Sequence, residues 1–260
     1  MNCRLTLVVL LSSIFNNLFA GSMGSIPTTF GGFYAGLGTG FTTVFSNDEY
    51  TVNRPGFGVV RSGTNKVSDS AILFSGQLGY GTSLNKNIYL GGKASVYYTP
   101  MESFHQNSYA SPRGPNQLAA GQDSLSRTFK PIYNIDAVLG YEMFPNLMPF
   151  VEAGVSFANV KHAIILDGSI VILNANLVDH YTGAFNVDGY KTGYNVGIGA
   201  NYLAYKNWII SGELVYHDLG KNNLSTVINT SILSIPANHF RKETNQAATL
   251  LATVSYLIPN

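Results

Sequence analysis

Between Phe33 and Tyr256 the chain repeats, eight times, a stretch of about ten residues in which apolar residues alternate with small or polar ones. A period of two is that of a β-strand, whose successive side chains point to opposite faces. The pattern predicts strands over 33–45, 71–82, 88–98, 132–143, 151–157, 193–202, 208–217 and 248–256. In the first, Phe33, Ala35, Leu37, Thr39 and Phe41 take one face, and Tyr34, Gly36, Gly38 and Gly40 the other. In the fourth, Tyr133, Ile135, Ala137, Leu139 and Tyr141 oppose Asn134, Asp136, Gly140 and Glu142.

Four of these stretches carry aromatics eight residues apart: Phe33 and Phe41, Tyr133 and Tyr141, Tyr194 and Tyr202, Trp208 and Tyr216. An even spacing puts both rings of a pair on one face, roughly 26 Å apart at about 3.3 Å per residue. A strand tilt of about 40° reduces that to roughly 20 Å along a barrel axis, the span between two aromatic girdles of a membrane barrel. The apolar face of these strands is therefore expected to meet lipid.

The connections alternate in length. Short turns fall near 83–87, 144–148 and 203–207, and long polar connections fill 46–70, 99–130, 160–189 and 219–245. Four long loops argue against a compact soluble domain, whereas an outer-membrane barrel has short periplasmic turns and long extracellular loops. The expected fold is an all-β, eight-stranded antiparallel up-and-down transmembrane β-barrel with both termini on the short-turn side. The run 163–173 is expected to form an apolar hairpin turning at Asp167-Gly168 and projecting from the third loop. Its arms are too short to add two spanning strands.

Composition supports the same solvent. Charged residues are only 11% of the chain, Gly numbers 27, and Tyr and Phe number 16 and 15. A soluble β-sandwich normally carries far more charge on its outer faces. A net charge of +1 gives no reason to expect nucleic acid. The five His are scattered without metal-ligand spacing, so no metal or cofactor is expected.

Residues 1–20 read as a cleaved signal peptide: Arg4 is the positive end, an apolar run follows, and Leu18-Phe19-Ala20 forms the cleavage site before Gly21. The only cysteine, Cys3, lies inside that leader, so a mature barrel domain of 21–260 is expected without disulfides. No later run is long and apolar enough for a spanning helix. Export to the bacterial outer membrane follows as the expected location.

At Phe33-Tyr34-Ala35-Gly36-Leu37-Gly38, at Glu213-Leu214-Val215-Tyr216-His217-Asp218-Leu219-Gly220 and at Ala252-Thr253-Val254-Ser255-Tyr256, the chain resembles small OmpA/OmpX-like, opacity-type outer-membrane barrels. These degenerate motifs imply a fold rather than an activity. Such barrels usually finish on a terminal aromatic, whereas this chain ends Tyr256-Leu257-Ile258-Pro259-Asn260. Tyr256 is expected to anchor the last strand, with the following residues trailing away. No periplasmic peptidoglycan-binding domain is expected after the barrel.

The face opposite the girdles carries Lys93, Asp136, Glu142, Glu152 and Glu213, which the lumen must therefore hold. Counting from the short turns places Glu142 and Glu152 low, Lys93 and Glu213 in the middle and Asp136 a little higher. The set forms either a buried polar network that closes the lumen or the lining of a narrow ion path. Catalysis finds little support. The His-x-Ser spacing of barrel deacylases is absent at every His, His217 and Asp218 point to opposite faces, and only Asp179, Asp188 and Asp218 suit a paired-aspartate site at the rim.

The expected role is a scaffold whose loops make surface contacts, in adhesion or envelope maintenance, with a host or envelope protein as partner. The first alternative is a small porin-like channel and the second a lipid-modifying barrel enzyme. Outer-membrane lipid and lipopolysaccharide are the expected surroundings. Apolar loop residues Val227, Ile228 and 232–236 suit a cap or a partner, and His239-Phe240-Arg241-Lys242 a contact with lipopolysaccharide phosphates.

Overall fold

A computed structural model describes residues 30–54, 58–84, 87–99, 102–114, 117–172, 177–229 and 236–259. The leader expected at 1–20 and the apolar run 232–235 lie outside these residues. Among the described residues the fold is all strand: β1 Gly32–Arg54, β2 Gly58–Ser83, β3 Ile88–Tyr98, β4 Glu102–Gly114, β5 Gln117–Tyr141, β6 Leu147–Ile172, β7 Leu177–Tyr205, β8 Trp208–Asn229 and β9 Pro236–Pro259. Every pairing is antiparallel. β3 and β4 both pair with β5, one above the other, and so make a single stave of an eight-stranded barrel. The ring closes because β2 pairs with β3 and β1 with β9.

The alternation sorts side chains between two media. Leu37, Ile135 and Ile198 stand outside at 75%, 63% and 59% exposure, while Gln77, Lys93, Glu152 and Glu213 are buried inside. The inner girdle gathers Phe33 against Tyr80, ring centroids 4.6 Å apart, and Trp208 edge-on to Tyr256 at 5.2 Å. Phe41, Phe74, Tyr98, Tyr133 and Tyr194 form the outer ring, all more than half exposed. Tight turns join the staves at the inner end. Lys206 takes a left-handed conformation, φ 46°, between Tyr205 and Trp208, and Phe144 bridges Leu147 in the β5–β6 turn.

Three sequence expectations change. First, the long connections are mostly paired strand rather than structureless loop. β2 runs 26 residues, roughly 86 Å at about 3.3 Å per residue, against an apolar band about 25 Å tall. Their polarity hid them, because outside lipid neither face of a strand has to be apolar. Second, the hairpin expected over 163–173 is absent from its described part, 163–172: β6 runs straight through Asp167 and Gly168, which pair with Gln122 and Gly121 of β5 and with Thr182 and Tyr181 of β7. Partners on both edges leave these residues no reason to turn. Third, the residues after Tyr256 do not trail away. Leu257 points inward, fully buried, and Ile258 outward at 60% exposure, both still paired with β1.

The outward face yields a direct test. Leu37 lies halfway between Phe33 and Phe41, at the centre of the apolar band. Leu37→Arg should cost about 2–4 kcal/mol in a bilayer, read from denaturant unfolding in lipid vesicles, while Leu37→Met should be close to neutral. Equal costs would mean that this face does not meet lipid.

Candidate functional site

The inward column of β9 gives the vertical order of the lumen: Leu257, Ser255, Thr253, Leu251, Thr249, Ala247, Asn245, Glu243, Arg241. Apolar and polar layers alternate along it. At the periplasmic end Phe30, Tyr89, Val138, Met148, Phe150, Leu203, Ile209 and Leu257 pack into an apolar floor. Glycine makes the floor possible at one point: a Cβ on Gly79 would stand 2.1 Å from the ring of Tyr34. Above the floor, a void of about 20 Å³ beside Gln77, Lys93 and Glu213 has room for about one water.

The central layer is polar. Lys93 Nζ stands 2.5 Å from Glu152 Oε2 and 2.8 Å from Glu213 Oε2. It also lies 5.9 Å above the Phe150 ring. Gln77 Nε2 donates to Thr253 and Ser255, at 3.2 and 3.0 Å. Asp136 is the cross-strand neighbour of Lys93 and is buried. Three carboxylates thus share a layer with one ammonium group. Several acceptors there, among them Gln77 Oε1, Asp136 Oδ1 and Asn195 Oδ1, lack a donor from the described residues.

Lys93, Glu152 and Glu213 therefore meet, with Asp136 beside them. Glu142 does not join them: it sits near the inner turns and accepts a hydrogen bond from Ser83. Glu152 lies opposite Val138, two residues nearer the inner turn than Asp136, and its carboxylate still reaches the end of the long Lys93 side chain.

The structure also assembles a cluster that strand patterns do not reveal. Ser156 Oγ lies 3.1 Å from His217 Nδ1, donates to Asn134 Oδ1 at 2.7 Å and accepts from Asn195 Nδ2 at 3.0 Å. A serine–histidine contact suggests a nucleophile and its base, but Asn134 Oδ1 competes with His217 Nδ1 for the single hydroxyl hydrogen. Both residues are wholly buried, which leaves a substrate no approach. Inward parity of both was visible in the sequence; their meeting was not, since they sit on staves that are not neighbours. Asp218, outward, instead accepts from the Gly220 amide at 2.8 Å.

Above the central layer Leu73, Tyr97, Ile132, Ala158, Leu219 and Leu251 form a second apolar tier, followed by Val44, Val160 and Ala247. A further polar layer tops these. Arg241 Nη2 meets Asp48 Oδ2 at 2.5 Å, and Ser46 Oγ donates to Asp48 and Glu243 at 3.3 and 3.4 Å. Arg241 is thus turned inward and is not placed for lipopolysaccharide, whereas its neighbour Lys242 is exposed. Unbroken parity through β9 is the signal that would have found this layer.

The central ion pairs can be tested by their asymmetry. Lys93→Met leaves two carboxylates buried without their cation and should cost about 3–5 kcal/mol, measured by denaturant unfolding. Adding Glu152→Gln and Glu213→Gln should recover most of the loss. A triple variant no better than the single one would refute this account of the layer.

The model for the outer membrane protein beta-barrel domain matches residues 15–238. The chain is 27% identical over 177 residues to a 31 kDa outer-membrane immunogenic protein of Brucella melitensis, an alignment covering 66% of this chain. It spans 64% of that relative's length. Among solved structures, OprG of Pseudomonas aeruginosa aligns with 90% of this chain and all of its own, at 10% identity and a TM-score of 0.49. Ail of Yersinia pestis aligns with 83% of this chain and 99% of its own, at 10% identity and a TM-score of 0.31. With a family model matched across most of its length and a closed barrel sorted for lipid outside, the chain belongs to the outer membrane protein β-barrel family and resides in the bacterial outer membrane.

Proposed function

We propose that the barrel is a closed scaffold that holds paired strands beyond the outer leaflet for contact with other surfaces, either host or envelope proteins. The observation that carries this reading is the filled lumen. Among the described residues an apolar floor, an ion-paired layer and upper apolar tiers follow one another up the lumen. An eight-stranded interior is only just wide enough for side chains to fill. What remains available for recognition is the strand length above the outer girdle, embedded in lipopolysaccharide and extending outward from it. The reading assigns no catalytic step to the chain.

The porin-like alternative draws on one observation, the charged central layer around Lys93. An ion crossing it would first have to displace the apolar floor beneath. The two readings part in planar bilayers. The scaffold should stay electrically silent at moderate voltage, and Lys93→Met should not open it; regular ion steps sensitive to that substitution would favour the channel. In parallel, a chain whose four hairpins are shortened to just above the outer girdle should still show heat-modifiable mobility. It should also lose at least about tenfold in binding to host cells or matrix, roughly 1.4 kcal/mol. Unchanged binding by the shortened barrel would remove the surface-contact reading.

A further inference from the structure

The outward face changes character just above the outer girdle, and it does so differently on two flanks of the barrel. On the flank made by β2, β1, β9 and β8 the cross-strand register sets Lys66 beside Asn47, Asn47 beside Thr244 and Thr244 beside Lys221. The next row outward holds Thr64, Glu49, Lys242 and Asn223 in the same way. Lys66, Lys221 and Lys242 are all exposed, and Glu49 is the single carboxylate in the two rows. No other described residue engages any of the three lysines. The opposite flank differs: Tyr190 and Ile165 stand out at 85% and 53% exposure, and Lys161 already has a partner within the chain.

A local device brings Lys221 onto this face. Lower on β8 the even-numbered residues face outward, so unbroken alternation would turn Lys221 into the lumen. Instead β8 spends three residues from Asp218 to Lys221 where β9 spends two from Gln246 to Thr244. Gly220 takes up the difference at φ 78°, with its amide held by Asp218 Oδ1 at 2.8 Å. A bulge re-aims the side chains that follow it. Leu219 is left buried and Lys221 exposed.

Height and spacing name the ligand. Phe45 is the last outward aromatic of β1, and Asn47, in the row of Lys66 and Lys221, follows two residues later. At about 3.3 Å per residue and a tilt of about 40°, that row lies roughly 5 Å further out. Acyl chains give way to charged groups at this level. Lys66 and Lys221 are three strand spacings apart, roughly 14 Å, and Lys242 stands on the diagonal from Lys221, roughly 7–8 Å away. We propose that this flank binds the phosphate groups of lipopolysaccharide in the outer leaflet, with Lys66, Lys221 and Lys242 as their cations. A phospholipid carries one phosphate and meets one end of the row. A phosphorylated saccharide carries several on one frame and can span it. A protein partner would seek apolar anchors, and these two rows have none. Binding here requires only that the outward face meets lipid, and it is separate from any contact made further out.

The test titrates the full-length folded barrel in detergent micelles with lipid A bearing two phosphates, followed by native mass spectrometry. Dephosphorylated lipid A, phosphatidylglycerol and heparin serve as the other probes. Diphosphorylated lipid A should bind at least about tenfold tighter than each of them. Replacing all three lysines, as Lys66→Gln, Lys221→Gln and Lys242→Gln together, should weaken it roughly ten- to a hundredfold, at about 1 kcal/mol per lysine before the Glu49 charge is counted. Three Lys→Arg changes should keep binding, Lys161→Gln on the other flank should leave it unchanged, and Glu49→Gln should tighten it several-fold. Heat-modifiable mobility checks that every variant is folded. Equal affinity for the two forms of lipid A, or a triple Gln variant that binds as before, overturns the proposal. Phosphatidylglycerol binding as tightly would assign the flank to any anionic lipid, and heparin binding more tightly to a soluble polyanion; either result overturns it as well.

Discussion

A peptide group inside a bilayer has no water to turn to, and this constraint organises the molecule. Each N–H and C=O within the apolar band must find a partner in the chain, so strands crossing it must close on themselves. Every seam is accordingly paired between the two girdles, from Phe33–Tyr80 around to Trp208–Tyr256. Closure then dictates the rest. One parity of each strand faces lipid and must be apolar. The other faces a lumen so narrow that its side chains have only one another as partners.

That second consequence explains the layering. A lumen lined only by charge would need many compensating ions, and one lined only by large apolar groups would not fit. Alternating tiers solve both problems. Small residues leave space where large ones project, as Gly197 does under Glu152, and the central polar tier lies between apolar tiers above and below. Sealing raises the electrostatic stakes: Lys93 is bonded to two carboxylates in a place where an unmatched one would be expensive. Rigidity of the wall and closure of the lumen are thus the same property seen from two sides.

How much of this the chain reveals in advance follows from where lipid acts. Between the girdles, every outward residue must satisfy the bilayer, so the alternation from Phe33 to Phe41 or Tyr194 to Tyr202 is legible and the β3 limits, Ile88–Tyr98, can be read directly. Above Phe41 that pressure ends. Ser46 and Asp48 continue the inward parity, but their outward neighbours Asn47 and Glu49 are polar too, and a strand there looks like a loop. Contacts across the lumen, Lys93 to Glu152 or Ser156 to His217, depend on barrel stagger, which no single strand encodes. Parity tells which side chains are inside; it does not tell which of them meet.

The same reasoning locates the only heights at which the wall can open. Within the bilayer, an unpaired edge would strand a row of polar groups in hydrocarbon, so a bulge or proline there would carry a heavy cost. Above the outer aromatics, water satisfies the freed groups and the cost falls away. The breaks occur just there. The Gly220 bulge lies immediately after the Tyr194–Asp218 pair, and the β2–β3 ladder ends at Phe74–Tyr98 among the described residues. An accidental weakness would have no reason to appear on both sides at one level. The ladders of β2 with β3 and of β7 with β8 therefore end at the first height where unpaired backbone is cheap, which makes the membrane surface itself the boundary of the fully paired barrel.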